Sequence, residues 1–286
     1  MARTSEAPKV MSLKTILVHV DDSERSDARL AVAGRIAAGF GAQLVGVYLV
    51  PDNPLSPSVA ALLPQDVVDA TLREAGDAQR AAEQRFRRAA GGDTGEWRAP
   101  AGPPLDAAVA HARCGDLFVM GQAEPGDPDR RFGDDLITTT VLSSGRPVLI
   151  VPYTGAPAAL GTHVLVAWDG GREASRAVAD ALPFIERARL VTVMAARASD
   201  DDRALDDAAL ARLASYLRAH GVTAGISVEG SSEVGTGERL LSRAADVGAD
   251  LVVMGGYAHA RLRSLVLGGV TRTMLDAMTV PVLMSH

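Results

Sequence analysis

The stretch GGYAHARLRSLVLGGVT, Gly255–Thr271, has the residue types of an anion-binding turn. Glycines stand at both ends, His259, Arg261 and Arg263 lie between them, and an apolar run precedes it. Backbone N–H groups at the start of a helix attract anions, so Gly268 and Gly269 just before a helical stretch suit a phosphate. The same composition also suits a plain connection from strand to helix with a solvated basic face. Asp169 closes the run HVLVAWD ahead of GGREASRA, where a carboxylate serves as a turn or N-cap residue. Asp21 closes TILVHVD ahead of DSERSD and reads as a cap in the same way.

Other chemistries lack their residues. The only lysines are Lys9 and Lys14, so the body of the chain has neither the lysine of a phosphate-binding P-loop nor a Schiff-base amine. The six histidines show no HxH, HxxE or HxxxH spacing, which argues against a metal site. No G-x-S-x-G elbow occurs, and no nucleophile pairs with a base. GTGERL, Gly235–Leu240, starts like a dinucleotide fingerprint but lacks the third glycine. Cys114 is the single cysteine, expected to be a buried or inert thiol, and His19 is expected to pack in a core.

The elements that would position these residues come in two sets. CGDLFVMG (114–121) returns as GADLVVMG (248–255), and RPVLIVP (146–152) returns as VPVLMSH (280–286), at one shared offset. TILVHVD returns as HVLVAWD at an offset larger by 14, the length of PDNPLSPSVAALLP (51–64). The chain therefore reads as two domains, 13–152 and 163–286, with an insertion near 51–64 and the linker YTGAPAALGT (153–162) between them. Each copy alternates apolar runs with amphipathic stretches, which predicts parallel strands covered by helices on both faces. The predicted fold is α/β: two tandem doubly wound domains, each an open five-stranded, mainly parallel sheet. Pro183 should kink or end its helix early. The proline-rich insertion should stay out of the sheet as a surface excursion over the carboxyl ends of the first-half strands. The closing strands are edge strands, and the two halves are expected to pack face to face as a pseudo-dimer joined through them.

Composition bounds the setting. The 286 residues are 47% apolar and carry a formal net charge of −6, the wrong sign for a nucleic-acid partner. No apolar run approaches the ~20 residues of a membrane span, and the N-terminus carries no signal-peptide core. A lone cysteine suits a reducing compartment, so the expectation is a cytoplasmic protein.

With strand one ending in Asp, strand four reading DLxVMG, a glycine-ended segment and a closing PVL strand, all present twice, the chain resembles the universal stress protein family in its tandem form. The resemblance spans about Thr15 to His286 and implies an adenine nucleotide alpha hydrolase-like fold. ATP-binding members share a Gly-x-x-Gly-(nine residues)-Gly-Ser/Thr pattern. Laid on the second half it falls on Gly255, Ala258, Gly268 and Gly269. Two positions match, the Cβ of Ala258 would crowd the close approach, and Gly269 lacks the hydroxyl, for which Thr271 could substitute. The resemblance implies that Asp169 hydrogen-bonds an adenine or ribose. In the first half Asp134 and Asp135 fall where Gly268 and Gly269 lie and would repel phosphate, so that site reads as lost. The resulting expectation is a non-catalytic stress-response protein acting through small-ligand or protein contacts, with at most weak nucleotide binding in the second half. The alternative is an ATP-binding protein or weak ATPase using 255–271. ATP or another adenine nucleotide is the candidate ligand, and a homo-oligomer is left open.

Overall fold

The computed structural model describes residues 12–49, 57–92, 94–124, 134–155, 157–196, 207–230, 232, 234–257 and 269–286. The first half runs β1 (Thr15–His19), α1 (Arg25–Phe40), β2 (Gln43–Val47), α2 (Pro57–Ala60), α3 (Gln65–Ala89), β3 (Glu96–Arg98), α4 (Pro104–Ala112), β4 (Leu117–Gly121), α5 (Asp135–Ser144) and β5 (Val148–Val151). The second runs β6 (His163–Trp168), α6 (Arg172–Ile185), β7 (Leu190–Ala196), α7 (Asp207–Ala219), β8 (Gly225–Glu229), α8 (Thr236–Val247), β9 (Leu251–Gly255), α9 (Gly269–Ala277) and β10 (Val282–Ser285). The two halves repeat one order of elements, save for α2, which lies in the inserted segment.

All ten strands form one sheet in the order β3-β2-β1-β4-β5-β10-β9-β6-β7-β8. Neighbours within each half are parallel. β5 and β10 are antiparallel, with Leu149 opposite Leu283. The halves therefore join edge to edge through their closing strands, and the expected face-to-face packing is corrected. Two short apolar edges pair with each other, satisfying N–H and C=O groups that would otherwise face outward. Alternation holds across the seam. Leu149 and Leu283 point into one core with α1, α3, α6 and α7, while Ile150 and Val282 point into the other with α4, α5, α8 and α9.

The repeated DLxVMG aspartates are structural. The Asp116 carboxylate accepts from the backbone N–H groups of Lys14 (2.7 Å) and Thr15 (2.9 Å). Asp250 accepts from Thr162 (3.0 Å) and His163 (3.1 Å). Each holds the entry of its first strand beside the fourth. Pro183 lies in the last turn of α6, which stops two residues later at Ile185, in keeping with an early end. Cys114 is exposed in the turn between α4 and β4, ahead of the strand, so of the expected buried or inert thiol the burial does not hold. Residues 51–56 of the insertion lie outside the described residues. The remainder forms the short α2 and an exposed turn and adds no strand.

The seam makes a direct prediction. Residues 12–152 expressed alone leave Val148–Val151 as an unpaired apolar edge and are expected to form larger assemblies than full-length protein, which keeps that edge covered. Sedimentation velocity on the two proteins compares them. A monomeric half at all concentrations would contradict the reading.

Candidate functional site

In each half the strand order reverses between the first and fourth strands, β1 beside β4 and β6 beside β9. A crevice opens at the carboxyl ends of strands at such a switch point. The residues that fill it differ between the halves.

The first-half crevice is closed from within. Arg29, on the second turn of α1, is 7% exposed and lies over the end of β4. One of its terminal nitrogens donates to Asp21 Oδ2 and to Ser26 Oγ, both at 2.6 Å. The Asp21 carboxylate also accepts from Ser26 Oγ (2.7 Å), from the hydroxyl of Ser23 and from its backbone N–H. Asp21 is thus not the cap of α1, a place held by Glu24 without a side-chain bond. A Cβ on Gly121 would meet an Arg29 nitrogen at 2.5 Å, so glycine is what lets the guanidinium lie on the strand end. Burial alone would raise the Asp21 carboxyl. The charges of Arg29 and His19 and the serine hydrogen bonds outweigh it and hold the carboxyl well below the usual range. His19 is buried beside the pair, as a core-packed histidine should be. Burial, helped by the Arg29 charge and opposed by Asp21, lowers its pKa to about 4.

The second half has Ala177 at the position of Arg29 and no such plug among the described residues. Asp169 is exposed and accepts from the N–H of Gly171 (2.8 Å), the turn geometry that opens α6. Beside it a cavity of about 450 Å³ is lined by Trp168, Gly170, Ser175, Val178, Leu213 and Tyr216 among others. The indole Nε1–H of Trp168 is buried and has no hydrogen-bond partner among the described residues. Gly255 ends β9 directly under the first turn of α6. A Cβ there would lie 2.6 Å from the backbone N of Ala174 and from the carbonyl carbon of Glu173. Its glycine therefore serves helix packing, whatever else it admits.

Beyond Gly255 the chain turns into the seam. Tyr257 is buried with φ 61°, a left-handed conformation rare outside glycine. Its hydroxyl shares a 2.8 Å hydrogen bond with Thr138 of α5, in the other half. Burial pushes its phenol up to about 12. Its N–H donates to Thr271 Oγ1 at 3.2 Å. Gly256 approaches Val141 of α5, 3.2 Å from where its Cβ would be.

The sequence profile of the universal stress protein family matches residues 12–152 and again 162–286. The chain belongs to the universal stress protein family. Its fold is accordingly the adenine nucleotide alpha hydrolase-like α/β class, carried twice. A universal stress protein from Archaeoglobus fulgidus DSM 4304 has a similar structure, with TM-score 0.71 and 18% identity over 95% of this chain and 97% of its own. A putative universal stress protein from Pseudomonas aeruginosa UCBPP-PA14 gives TM-score 0.58 and 18% identity over 96% and 93%. A universal stress protein solved in complex with cAMP is 28% identical over 50% of this chain and 99% of its own, with TM-score 0.33. No match was found among curated proteins.

Within this universal stress protein the sequence-predicted site residues part company. Asp169 and Gly255 stand at the ends of neighbouring strands β6 and β9. Ala258 and Gly268 lie outside the described residues, as do His259, Arg261 and Arg263. Gly269 is exposed as the first residue of α9, with nothing within 4 Å of a Cβ placed there. Thr271, offered as a substitute phosphate hydroxyl, is buried instead and holds the Tyr257 N–H. Asp134 and Asp135 stand at the start of α5, where they place negative charge at the helix end that would face a phosphate. Three residues escaped sequence reasoning: Arg29, Trp168 and Tyr257. Arg29 could have been sought as the positive side chain of the first helix nearest the strand end that carries Asp21. Tyr257 gave no signal. No group of three metal-ligating side chains occurs among the described residues.

Two outcomes are expected. Gly255→Ala should destabilise more than Gly121→Ala, because the first sets a Cβ against helix backbone and the second against the movable end of Arg29. Thermal melts of both variants decide it. The buried His19 gives a second. Its folded pKa is depressed, so its contribution is intact above pH ~6.5, the unfolded value, and is lost as pH falls toward 4. Over that window stability should fall by up to roughly 3 kcal/mol. His19→Gln should flatten this part of the profile in urea titrations.

Proposed function

We propose that this protein works by binding rather than by catalysis, and that its second half is the ligand-binding unit, with an adenine nucleotide as a weakly held ligand. The observation that carries the reading is the contrast at the two switch points. Asp21 is consumed by Arg29, whereas Asp169 keeps an exposed carboxylate beside a cavity, with Ala177 in place of the arginine. An apolar, partly aromatic cavity with Trp168, Tyr216 and Val178 suits a base, and Ser175 and Asp169 supply polar partners nearby.

Weakness follows from the phosphate side. Thr271 holds the Tyr257 N–H, and Gly269 has no hydroxyl to offer. A missing hydrogen bond to a charged group costs about 1.5–3 kcal/mol, or roughly ten- to a hundredfold in affinity. The first half serves as a structural partner whose own crevice is plugged, and the stress-response role proposed for the chain is then read through one ligand site, in the cytoplasm.

Isothermal titration with ATP, ADP and AMP tests this. Binding is expected no tighter than about tens of micromolar. Gly269→Ser, which meets no steric obstacle, should tighten it, and Asp169→Ala should weaken it. Tight ATP binding unaffected by Asp169→Ala would overturn the assignment, as would binding lost on Arg29→Met.

A further inference from the structure

The outer half of α3 is exposed well beyond what the first-half core requires. Of its 25 residues only Ala82 and Phe86 are buried, both in its C-terminal part. Phe86 packs against Trp97 with ring centroids 5.6 Å apart, and Arg85 pairs with Asp27 of α1 at 2.9 Å. The N-terminal part has no comparable anchor among the described residues, yet it presents large apolar side chains. Leu72 is 53% exposed, and Leu62, in the turn that leads into the helix, is 85% exposed. That turn is ordered by hydrogen bonds from the N–H groups of Leu62 and Leu63 to the carbonyls of Val59 and Ala60. The leucine is held outward.

The charges of the helix are segregated. Through Asp77 it carries Asp66, Asp69, Glu74 and Asp77 against the single Arg73. Beyond Asp77 it carries Arg80, Arg85, Arg87 and Arg88 against the single Glu83. Asp69, Leu72, Gly76, Arg80, Glu83 and Arg87 recur at helical spacing along one face, with the small Gly76 midway. Arg80, Glu83, Gln84, Arg87 and Arg88 form an open, nearly flat face along the basic part, with Arg80 paired to Asp77 and Arg87 to Glu83 within the helix.

We propose that this face of α3 joins two copies of the chain about a two-fold axis, the helices antiparallel. One surface is complementary to itself only in that arrangement. The acidic, leucine-bearing part of each helix then lies against the arginine-rich face of the other, and both contacts form at once. The alkyl stems of the arginines cover Leu62 and Leu72 while their guanidinium groups meet Asp66 and Asp69. A parallel pairing would set like charges together. The sheet edges β5 and β10 are already spent within the chain, so they do not compete for the second copy.

Sedimentation velocity of the full chain over a wide concentration range tests the proposal. A concentration-dependent dimer is expected, weakened by salt as its charged contacts are screened. The double variant Leu62→Glu, Leu72→Glu alters only exposed side chains, so it should keep its melting profile while its dimer weakens at least about tenfold. A charge exchange fixes the geometry. One chain carries Asp66→Arg and Asp69→Arg, and another carries Arg80→Glu and Arg88→Glu. Each should be monomeric alone, and the mixture should restore a dimer. A monomer at every concentration would overturn the proposal, as would a dimer indifferent to the leucine variants or no recovery on mixing. Monomers that float with vesicles of phosphatidylcholine and phosphatidylglycerol would assign the face to a membrane surface instead.

Discussion

The antiparallel pairing of β5 with β10 is the interaction on which the rest of this molecule depends. A five-stranded open sheet ends in two edges, and its closing strand here is four residues long, all apolar in β5 and three of the four apolar in β10. Alone, each half would present that strand to water with its ladder unmade. Paired, the strands turn two sheets into one and let two cores run unbroken across the seam, Leu149 against Leu283 in one and Ile150 beside Val282 in the other. Everything at the switch points is referenced to this joint. The chain leaving β9 crosses toward α5, and Tyr257 is fixed there by a hydroxyl on the opposite half.

That joint explains why the glycine-ended segment cannot be read as an isolated loop. Tyr257 takes a left-handed conformation that costs on the order of 1–3 kcal/mol for a non-glycine residue. Burial, the Thr138 hydroxyl and the Thr271 hydroxyl hold it there. The residues leading into the candidate site are thus tied to the inter-half contact. Any ligand that reorders them acts on the seam as well.

The first-half plug shows the other way a switch point can be filled. An arginine on the second turn of α1 brings its own positive charge to the strand end, and the aspartate meets it with two serines. Arg29 is buried and Asp21 half-buried, so loss of the aspartate strands the arginine charge, at a cost of at most about 3–5 kcal/mol. It turns a crevice into part of the core.

The repeat, the α/β class and the ordering of strands and helices were legible in the sequence, because those rest on periodicity and on local signals such as the DLxVMG runs. It also placed Asp169 and Gly255 at strand ends and the carboxylates of Asp134 and Asp135 at the start of a helix. It had no means of seeing that Gly255 is glycine because Ala174 and Glu173 of α6 press on it, or that Thr271 faces inward to Tyr257. It named the closing strands as the joint but not their pairing into one continuous sheet. Those facts turn on contacts between residues distant along the chain: 14 residues for Tyr257 and Thr271, and 119 for Tyr257 and Thr138. Hydrophobic period fixes which face of a strand or helix is buried. Only the packed tertiary structure decides which group that face meets, and hence whether a hydroxyl or a carboxylate is free for a ligand.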